Sequence, residues 1–253
     1  MLVKRIDSSF FAFKNSIRRY RDANRAMLKM LENNRVFLAP NIDVNAYVAE
    51  GKENELEELL LQEGMESEML VFPADAFNDL YLTGIQKDMA FLDELVREWD
   101  TVDYDPKYDE FLKRLRTELL KKDINPSGKL VIFSESKETT DHIVGRLKED
   151  GFTHLMQVDG SNRDQQRDAI RRNFDANCPI NERSDEYNII FTTEVLAEGV
   201  NQHRSNVMLN YDIPWNATRL MQRIGRVNRI GTTSSCIYIY NFFPTVRTDS
   251  EIE

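Results

Sequence analysis

Residues 222–229, with the sequence QRIGRVNR, carry the side chains of this chain that are best suited to phosphate chemistry. Arg226 and Arg229 are three positions apart, so they would share one face of a helix. Two guanidinium groups on one face can hold a polyphosphate at two points, where phosphoryl transfer needs positive charge. Gly225 would let a backbone or a ligand approach closely. Taken alone, the run also fits a solvated basic helix end in which an arginine pairs with a carboxylate.

Further polar segments follow short apolar runs in the second half of the chain. They are residues 134–136, 159–163, 192–201 and 212–216. The apolar runs alternate with helical patterns, which predicts βαβ units and a mainly parallel sheet with helices on both faces. In such sheets, function lies in the loops beyond the carboxyl ends of the strands. We therefore expect these segments to meet at one edge of an α/β domain.

The periodicity of apolar residues indicates which elements position these loops. Strands are predicted at 129–133, 154–158, 187–192, 206–211 and 236–242, and helices at 137–150, 163–176 and 217–226. A turn cluster at 125–128 separates this region from a first part in which apolar residues recur at helical spacing. The predicted domains are a helical connector or insertion subdomain at 1–125, an α/β lobe at 126–245 and a tail at 246–253.

Composition sets limits on partners and environment. The chain has 253 residues, of which 41% are hydrophobic, and a net charge of -10. That charge by itself argues against a nucleic-acid partner, but arginines gather at 18–25, 163–172 and 219–229 and could form a local basic strip. The two cysteines have no metal-binding spacing. With no membrane-spanning apolar run and no secretory signal, we expect a reduced, cytoplasmic protein with no metal of its own and no membrane partner.

Four ordered motifs resemble the second RecA-like lobe of superfamily 2 helicases and translocases, especially the Swi/Snf-like branch of bacterial type. Residues 131–136 are similar to motif IV, and residues 158–161, with Arg167 and Phe174, to the block that follows it. Residues 191–201 are similar to motif V. Residues 210–216 and the QRIGRVNRIG run are similar to motif VI and its lead-in. The resemblance covers roughly 129–243 and implies a RecA-like three-layer α/β fold.

The resemblance also implies roles for individual residues. Arg226 and Arg229 match the arginine fingers that reach the γ-phosphate, and Gln222 matches the polar residue that couples ATP to nucleic acid. The nucleotide-facing end of motif V is matched by Glu198, Gly199 and Asn201. Contacts to the nucleic-acid backbone are implied for Ser134, Ser136, Lys137, Gly160, Ser161, Arg163, Thr192, Thr193 and Glu194.

Two of these assignments have open alternatives. Many relatives carry Asp at the position of Asn201, and an amide can hydrogen-bond to an arginine finger but cannot form an ion pair with it. Ser161 lies three residues before Asp164 and could cap a helix instead of contacting phosphate. For each of the other backbone-contact positions, the alternative is an ordinary loop or helix cap.

A complete motor of this type also needs a phosphate-binding loop, GxxxxGK[ST], and a carboxylate pair for magnesium. The sequence contains no such loop. The pair Asp93-Glu94 lies inside a helical pattern and reads as a solvated helix face. We therefore expect ATP and Mg²⁺ to be bound mainly by a first lobe that is not in this chain. We also expect the chain to be an excised C-terminal part that is inactive as an ATPase alone.

The leading hypothesis is the C-terminal motor lobe of an ATP-dependent DNA helicase or translocase. A non-catalytic nucleic-acid or protein binding module with the same fold is the alternative, although it would have no use for both arginines. An α/β enzyme for a phosphorylated small molecule would need a Gly-rich strand–helix turn, which is missing, and the three histidines are too scattered for a triad. The sequence leaves DNA or RNA open. The lead-in at 212–216 favours duplex DNA.

Overall fold

The computed structural model describes residues 2–60, 70–193, 201–232 and 234–243. It divides into two compact units, one formed by Lys14–Asp103 and the other by Met1–Phe13 with Tyr104–Glu253. The helices, in chain order, are α1 (Leu2–Ser8), α2 (Phe10–Glu32), α3 (Val44–Ala49), α4 (Glu53–Leu60), α5 (Asp79–Asp100), α6 (Pro106–Arg114), α7 (Lys137–Glu149), α8 (Arg163–Phe174) and α9 (Ala217–Val227). The strands are β1 (Val36–Leu38), β2 (Leu70–Phe72), β3 (Leu130–Phe133), β4 (Leu155–Val158), β5 (Ile189–Thr192), β6 (Val207–Asn210) and β7 (Tyr238–Asn241).

The larger unit is built on a five-stranded sheet with the order β4-β5-β3-β6-β7. All four strand pairs are parallel, with Leu130 opposite both Ile189 and Val207. Parallel strands need crossover connections, and α7, α8 and α9 supply three of them. The predicted α/β fold, with a parallel sheet and helices on both faces, is thereby confirmed. The carboxyl ends of β3, β4, β5 and β6 lie at one edge.

Alternating side chains of the strands form two cores, one on each face of the sheet. Leu130 and Ile132 pack with α6, α7 and the π-helical turn Leu115–Leu119, whereas Val131 and Phe133 pack with α8 and α9. Because both faces are covered, the strands read as continuous apolar runs and not as alternating ones. This arrangement leaves the loops at the strand ends as the accessible surface near the sheet.

The unit Lys14–Asp103 is mainly helical, as predicted, and also contains a two-stranded antiparallel sheet of β1 and β2. Its core includes Met30 and Leu31 from α2, Val36 and Phe37 from β1, and Leu56 from α4. Asp43 and Asn78 cap α3 and α5 by accepting hydrogen bonds from backbone amides. Among the described residues, no helix is long and apolar enough to cross a membrane.

The compact units divide at other positions than the turn cluster at 125–128. Tyr108, Phe111 and Leu115 belong to the core of the sheet unit, although they precede that cluster. Their helical spacing gave no sign of which unit they would pack against, because periodicity reports one apolar face and not its partner. The predicted roles of 1–125 as a connector or insertion, of 126–245 as a lobe and of 246–253 as a tail remain predictions.

Candidate nucleic-acid and nucleotide interface

The loops after β3, β4 and β5 meet at the carboxyl edge of the sheet, as the parallel topology requires. They surround a cavity of about 430 Å³. Its walls come from these loops, the start of α7 and the first turn of α9, and consist of Glu135, Lys137, Asp159, Gly160, Ser161, Thr193 and Arg219. Four of these residues, Lys137, Gly160, Ser161 and Thr193, were predicted from separate motifs. The fold therefore brings one residue of motif IV, two of the next block and one of motif V to one place.

Lys137, Asp159 and Ser161 form a polar network on the cavity wall. The Lys137 ammonium donates to Oδ2 of the buried Asp159, and its Nζ lies 3.4 Å from the hydroxyl oxygen of Ser161. Oδ1 of Asp159 accepts the backbone N–H of Ser161 at 2.7 Å and its hydroxyl. The Lys137 hydrogen bond is the main cause that lowers the pKa of Asp159 to about 2. The network holds the Lys137 ammonium at the cavity while leaving it exposed to solvent.

Ser161 does not cap a helix. The N-cap position of α8 is Asn162, whose side-chain oxygen accepts the backbone N–H of Asp159 at 2.9 Å. The hydroxyl of Ser161 is used by Asp159 instead. Arg163, in the first turn of α8, has its Nε 3.5 Å from Oδ1 of Asp164 and is not among the residues that line the cavity.

Three of the predicted backbone-contact residues are buried, and their hydroxyls have partners within the fold. Ser134 is 1% exposed and donates to Oδ2 of Asp212 at 2.6 Å. Thr192 is fully buried and donates to the carbonyl of Thr193. Ser136 is also buried and caps α7. These three hydroxyls thus have partners within the fold, and a contact of these residues with nucleic acid remains a prediction.

Asp212 organises the loop that follows β3 and was missed by sequence reasoning. Its carboxylate accepts from the hydroxyls of Ser8 at 2.8 Å and Ser134 at 2.6 Å, and from the backbone N–H of Glu135 at 2.6 Å. Lys107 donates to the carbonyl oxygens of Asp7 and Ser8 beside it. Burial lowers the pKa of Lys107 to about 8, against the opposing influence of Asp212. The available signal was the position of Asp212, two residues after the end of β6.

The arginines of the QRIGRVNR run occupy three different environments. Arg223 is 1% exposed and donates to Oδ1 of Asn210 and to the carbonyl of Asp212, both at 2.9 Å. Arg226 is half-buried on α9. Arg229 is exposed and lies beyond the helix, which ends at Val227. Arg223 therefore has a structural role, because it connects α9 to the end of β6.

The expectation that Arg226 and Arg229 share one helical face was wrong. In a longer helix, the carbonyl of Arg226 would accept from the residue four positions later. Here it accepts the backbone N–H of Gln202 at 3.0 Å, and the chain turns extended at Asn228. The neighbouring loop therefore takes over the hydrogen bond that would have continued the helix. Gln222 is exposed on α9, and a Cβ at Gly225 would meet no atom within 4 Å, so both remain accessible.

Asn201 contacts an arginine in spite of its neutral side chain. Nη1 of Arg229 donates to Oδ1 of Asn201, which joins the end of motif V to the end of motif VI. The contact between Asn201 and an arginine of the QRIGRVNR run, which the sequence left open, is therefore formed. The other predicted motif V positions, Glu194, Glu198 and Gly199, lie outside the described residues. Among the described residues, no group of three or more His, Cys, Asp and Glu side chains could hold a metal ion.

The sheet unit contains a segment that is similar to known proteins. Residues 110–231 match the family described as the helicase conserved C-terminal domain. Among curated relatives, the ATP-dependent RNA helicase DBP2 of Eremothecium gossypii is 33% identical over 138 residues, which are 54% of this chain and 22% of that protein. The uncharacterized ATP-dependent helicase YqhH of Bacillus subtilis is 32% identical over 116 residues, 45% of this chain and 18% of that protein. The chain spans about a fifth of the length of these relatives.

Two solved structures, one of an ATPase domain and one of a helicase domain, also align with the chain at low similarity. The C-terminal part of the Fun30 ATPase domain matches with a TM-score of 0.46 and 14% identity, over 94% of this chain and 83% of the other. The Pyrococcus furiosus Hef helicase domain matches with a TM-score of 0.48 and 17% identity, over 96% and 38%.

Proposed function

We propose that this chain, whose residues 110–231 match the family described as the helicase conserved C-terminal domain, is the C-terminal motor lobe of an ATP-dependent DNA helicase or translocase. The observation that carries the proposal is the cavity at the carboxyl edge of the sheet. Lys137, Gly160, Ser161 and Thr193, each predicted from a helicase-like motif, line it together. The order and type of the motifs also support the finer assignment to the Swi/Snf-like branch of bacterial type.

The cavity suits a phosphate of the nucleic-acid backbone. Lys137 and Arg219 supply positive charge, while Gly160, Ser161 and Thr193 supply small side chains that leave room for a phosphate. Such groups bind phosphate without distinguishing one base from another. A motor that moves along a strand needs this kind of contact, since the grip must be equally good at every sequence. We add Arg219 to the proposed phosphate contacts. The buried Ser134, Ser136 and Thr192 are not part of this cavity.

The second part of the proposal concerns nucleotide. Arg226 and Arg229 would reach the phosphates of ATP that is bound mainly by the first RecA-like lobe of the same polypeptide. Guanidinium groups fit a polyphosphate because they can donate two hydrogen bonds each. Mg²⁺ bound with that ATP would offset further negative charge during phosphoryl transfer. Asn201 holds Arg229 next to the end of motif V, and Gln222 on the exposed face of α9 would relay the nucleotide state to the nucleic-acid side.

Duplex DNA is the proposed track. The lead-in Asp212-Ile-Pro-Trp-Asn216 and the ending Arg229-Ile-Gly231 are the features that favour it over RNA. Relatives named ATP-dependent RNA helicase share 28–33% identity over the lobe, so RNA is the specific alternative. The affinities of this chain for a fluorescein-labelled DNA duplex and for single-stranded RNA of the same sequence would distinguish DNA from RNA as the track.

The test of the motor assignment is Arg226→Ala in the full-length protein. We expect ATP hydrolysis to fall by about a thousandfold or more, because a finger of this kind stabilises charge only in the transition state. Circular dichroism should show an unchanged fold. Near-normal hydrolysis by the folded variant would refute the role of Arg226.

A binding module without a motor is the second candidate, since it would use the same cavity. In that case Lys137→Ala would weaken nucleic-acid binding, and the full-length protein would hydrolyse no ATP in the presence of nucleic acid. The measurement that decides is nucleic-acid-stimulated phosphate release by the wild-type protein.

A further inference from the structure

Glu135 lies at the middle of the proposed nucleic-acid surface, although it carries the same sign of charge as phosphate. It follows β3 and lines the cavity with Lys137 and Arg219. It also lines a neighbouring cavity of about 360 Å³, whose walls include Lys4, Arg5 and the exposed Trp215. The two cavities together form one surface at the carboxyl edge of the sheet, with Glu135 on the ridge between them.

The carboxylate of Glu135 faces one cation in each cavity. Oε2 lies 3.9 Å from Nζ of Lys4, and Oε1 lies 3.9 Å from Nη1 of Arg219. The Glu135 side chain is 26% exposed, and the two cations are about half exposed. The backbone N–H of Glu135 donates to Asp212 at 2.6 Å, which fixes the main chain at this position. Glu135 therefore bridges two cations that solvent can also reach.

A carboxylate and a phosphate oxygen compete for the same donors. Guanidinium and ammonium groups bind both, and distances of 3.9 Å between partly exposed groups indicate weak ion pairs. A phosphate that enters either cavity would draw the cation away from Glu135 and would meet the negative charge of its carboxylate. The bridge thus lowers the net attraction of this surface for nucleic acid.

We propose that Glu135 is an internal competitor for the nucleic-acid backbone, which occupies Lys4 and Arg219 in the free lobe and yields them to phosphates on binding. This inference rests on the proposed function and adds Lys4 to the phosphate contacts. A motor must release its track in every cycle, and a built-in competing carboxylate keeps the grip weak enough for release. The ion pairs of Glu135 with Lys4 and Arg219 identify it as the competitor, and no sequence motif indicates this role.

The test is Glu135→Gln in the full chain, measured by fluorescence anisotropy with the labelled DNA duplex and the RNA strand. Removing one negative charge beside the phosphates should tighten binding about three- to tenfold at low salt. Because the freed cations now exchange counterions for phosphate, the slope of log affinity against log salt should become steeper by up to about 1. Glu149→Gln removes the same charge at the far end of α7, about 20 Å away, and is the matched control.

A double-mutant cycle tests the competition itself. Arg219→Ala should weaken binding more in the Glu135→Gln background than in the wild type, because Glu135 no longer occupies the arginine. Unchanged or weaker binding by Glu135→Gln, or equal tightening by Glu149→Gln, would overturn the inference. Lys137→Ala distinguishes a failure of the competitor role of Glu135 from a failure of the proposed nucleic-acid binding. If it weakens binding while Glu135→Gln has no effect, the competitor is refuted and the track remains; if it has no effect on either probe, the track itself is refuted.

Discussion

Arg223 provides the sharpest test of the structure, because the same octamer contains one buried arginine, Arg223, and one exposed arginine, Arg229. The perturbation is Arg223→Met, which keeps an unbranched side chain of similar length and removes the charge and the donors. Arg223 is 1% exposed, and its Nη1 donates to Oδ1 of Asn210 and to the carbonyl of Asp212. Its guanidinium also lies 5.3 Å from the ring centre of Phe133. These contacts connect α9 to the ends of β6 and β3.

The expected loss of stability follows from the two acceptors. Each buried acceptor that loses its donor costs about 1–3 kcal/mol. The Met variant recovers part of this, because a charged guanidinium no longer has to be held away from water. We therefore expect a decrease of about 2–4 kcal/mol in the free energy of unfolding. Arg229→Met, on an exposed residue, should change it by only about 0.5 kcal/mol.

The assay must report on the sheet unit alone, because the chain has two compact units. Native-state hydrogen exchange at the amides of β3 and β6 gives the opening free energy of these strands separately. A decrease below about 1 kcal/mol for Arg223→Met would refute the structural role assigned to this arginine. A decrease as large for Arg229→Met would refute the distinction between the two positions.

Two further predictions concern pH. The pKa of Asp159 is lowered to about 2, chiefly by Lys137, so its contribution is complete above the unfolded value of about 4 and is lost as pH falls toward 2. The difference in unfolding free energy between wild type and Asp159→Asn should be about 1 kcal/mol and constant near neutrality. It should shrink as pH falls from about 4 to about 2. A difference that stays constant down to low pH would contradict the ion pair between Asp159 and Lys137. Burial lowers the pKa of Lys107 to about 8, so between about pH 8 and 10 the native chain releases this proton before the unfolded chain does. Wild type should therefore gain stability relative to Lys107→Met as pH rises through this range in urea titrations, and parallel curves would show that the pKa of Lys107 is not lowered in the native chain.

Much of the sheet could be predicted from sequence because its signals are local. Runs such as 130–133 and 189–192 are apolar throughout, since both faces of a parallel sheet are buried, and helical patterns lie between them. The predicted strands and helices of this region agree with the structure to within about three residues at each end. Parallel connections then require the loops to share one edge, so the meeting of Lys137, Gly160, Ser161 and Thr193 followed from topology alone.

The sequence by itself determined the element order, the edge that carries the loops and the residue types available for phosphate contact. Tertiary structure alone decided which of these residues are exposed and where α9 ends. Ser134 is removed from the surface by Asp212, which in turn binds Ser8, a residue 204 positions away. The helix ends because Gln202 takes the carbonyl of Arg226, and Arg229 then turns to Asn201. Periodicity describes one element at a time, whereas burial and helix termination depend on hydrogen-bond partners that the chain brings together only on folding.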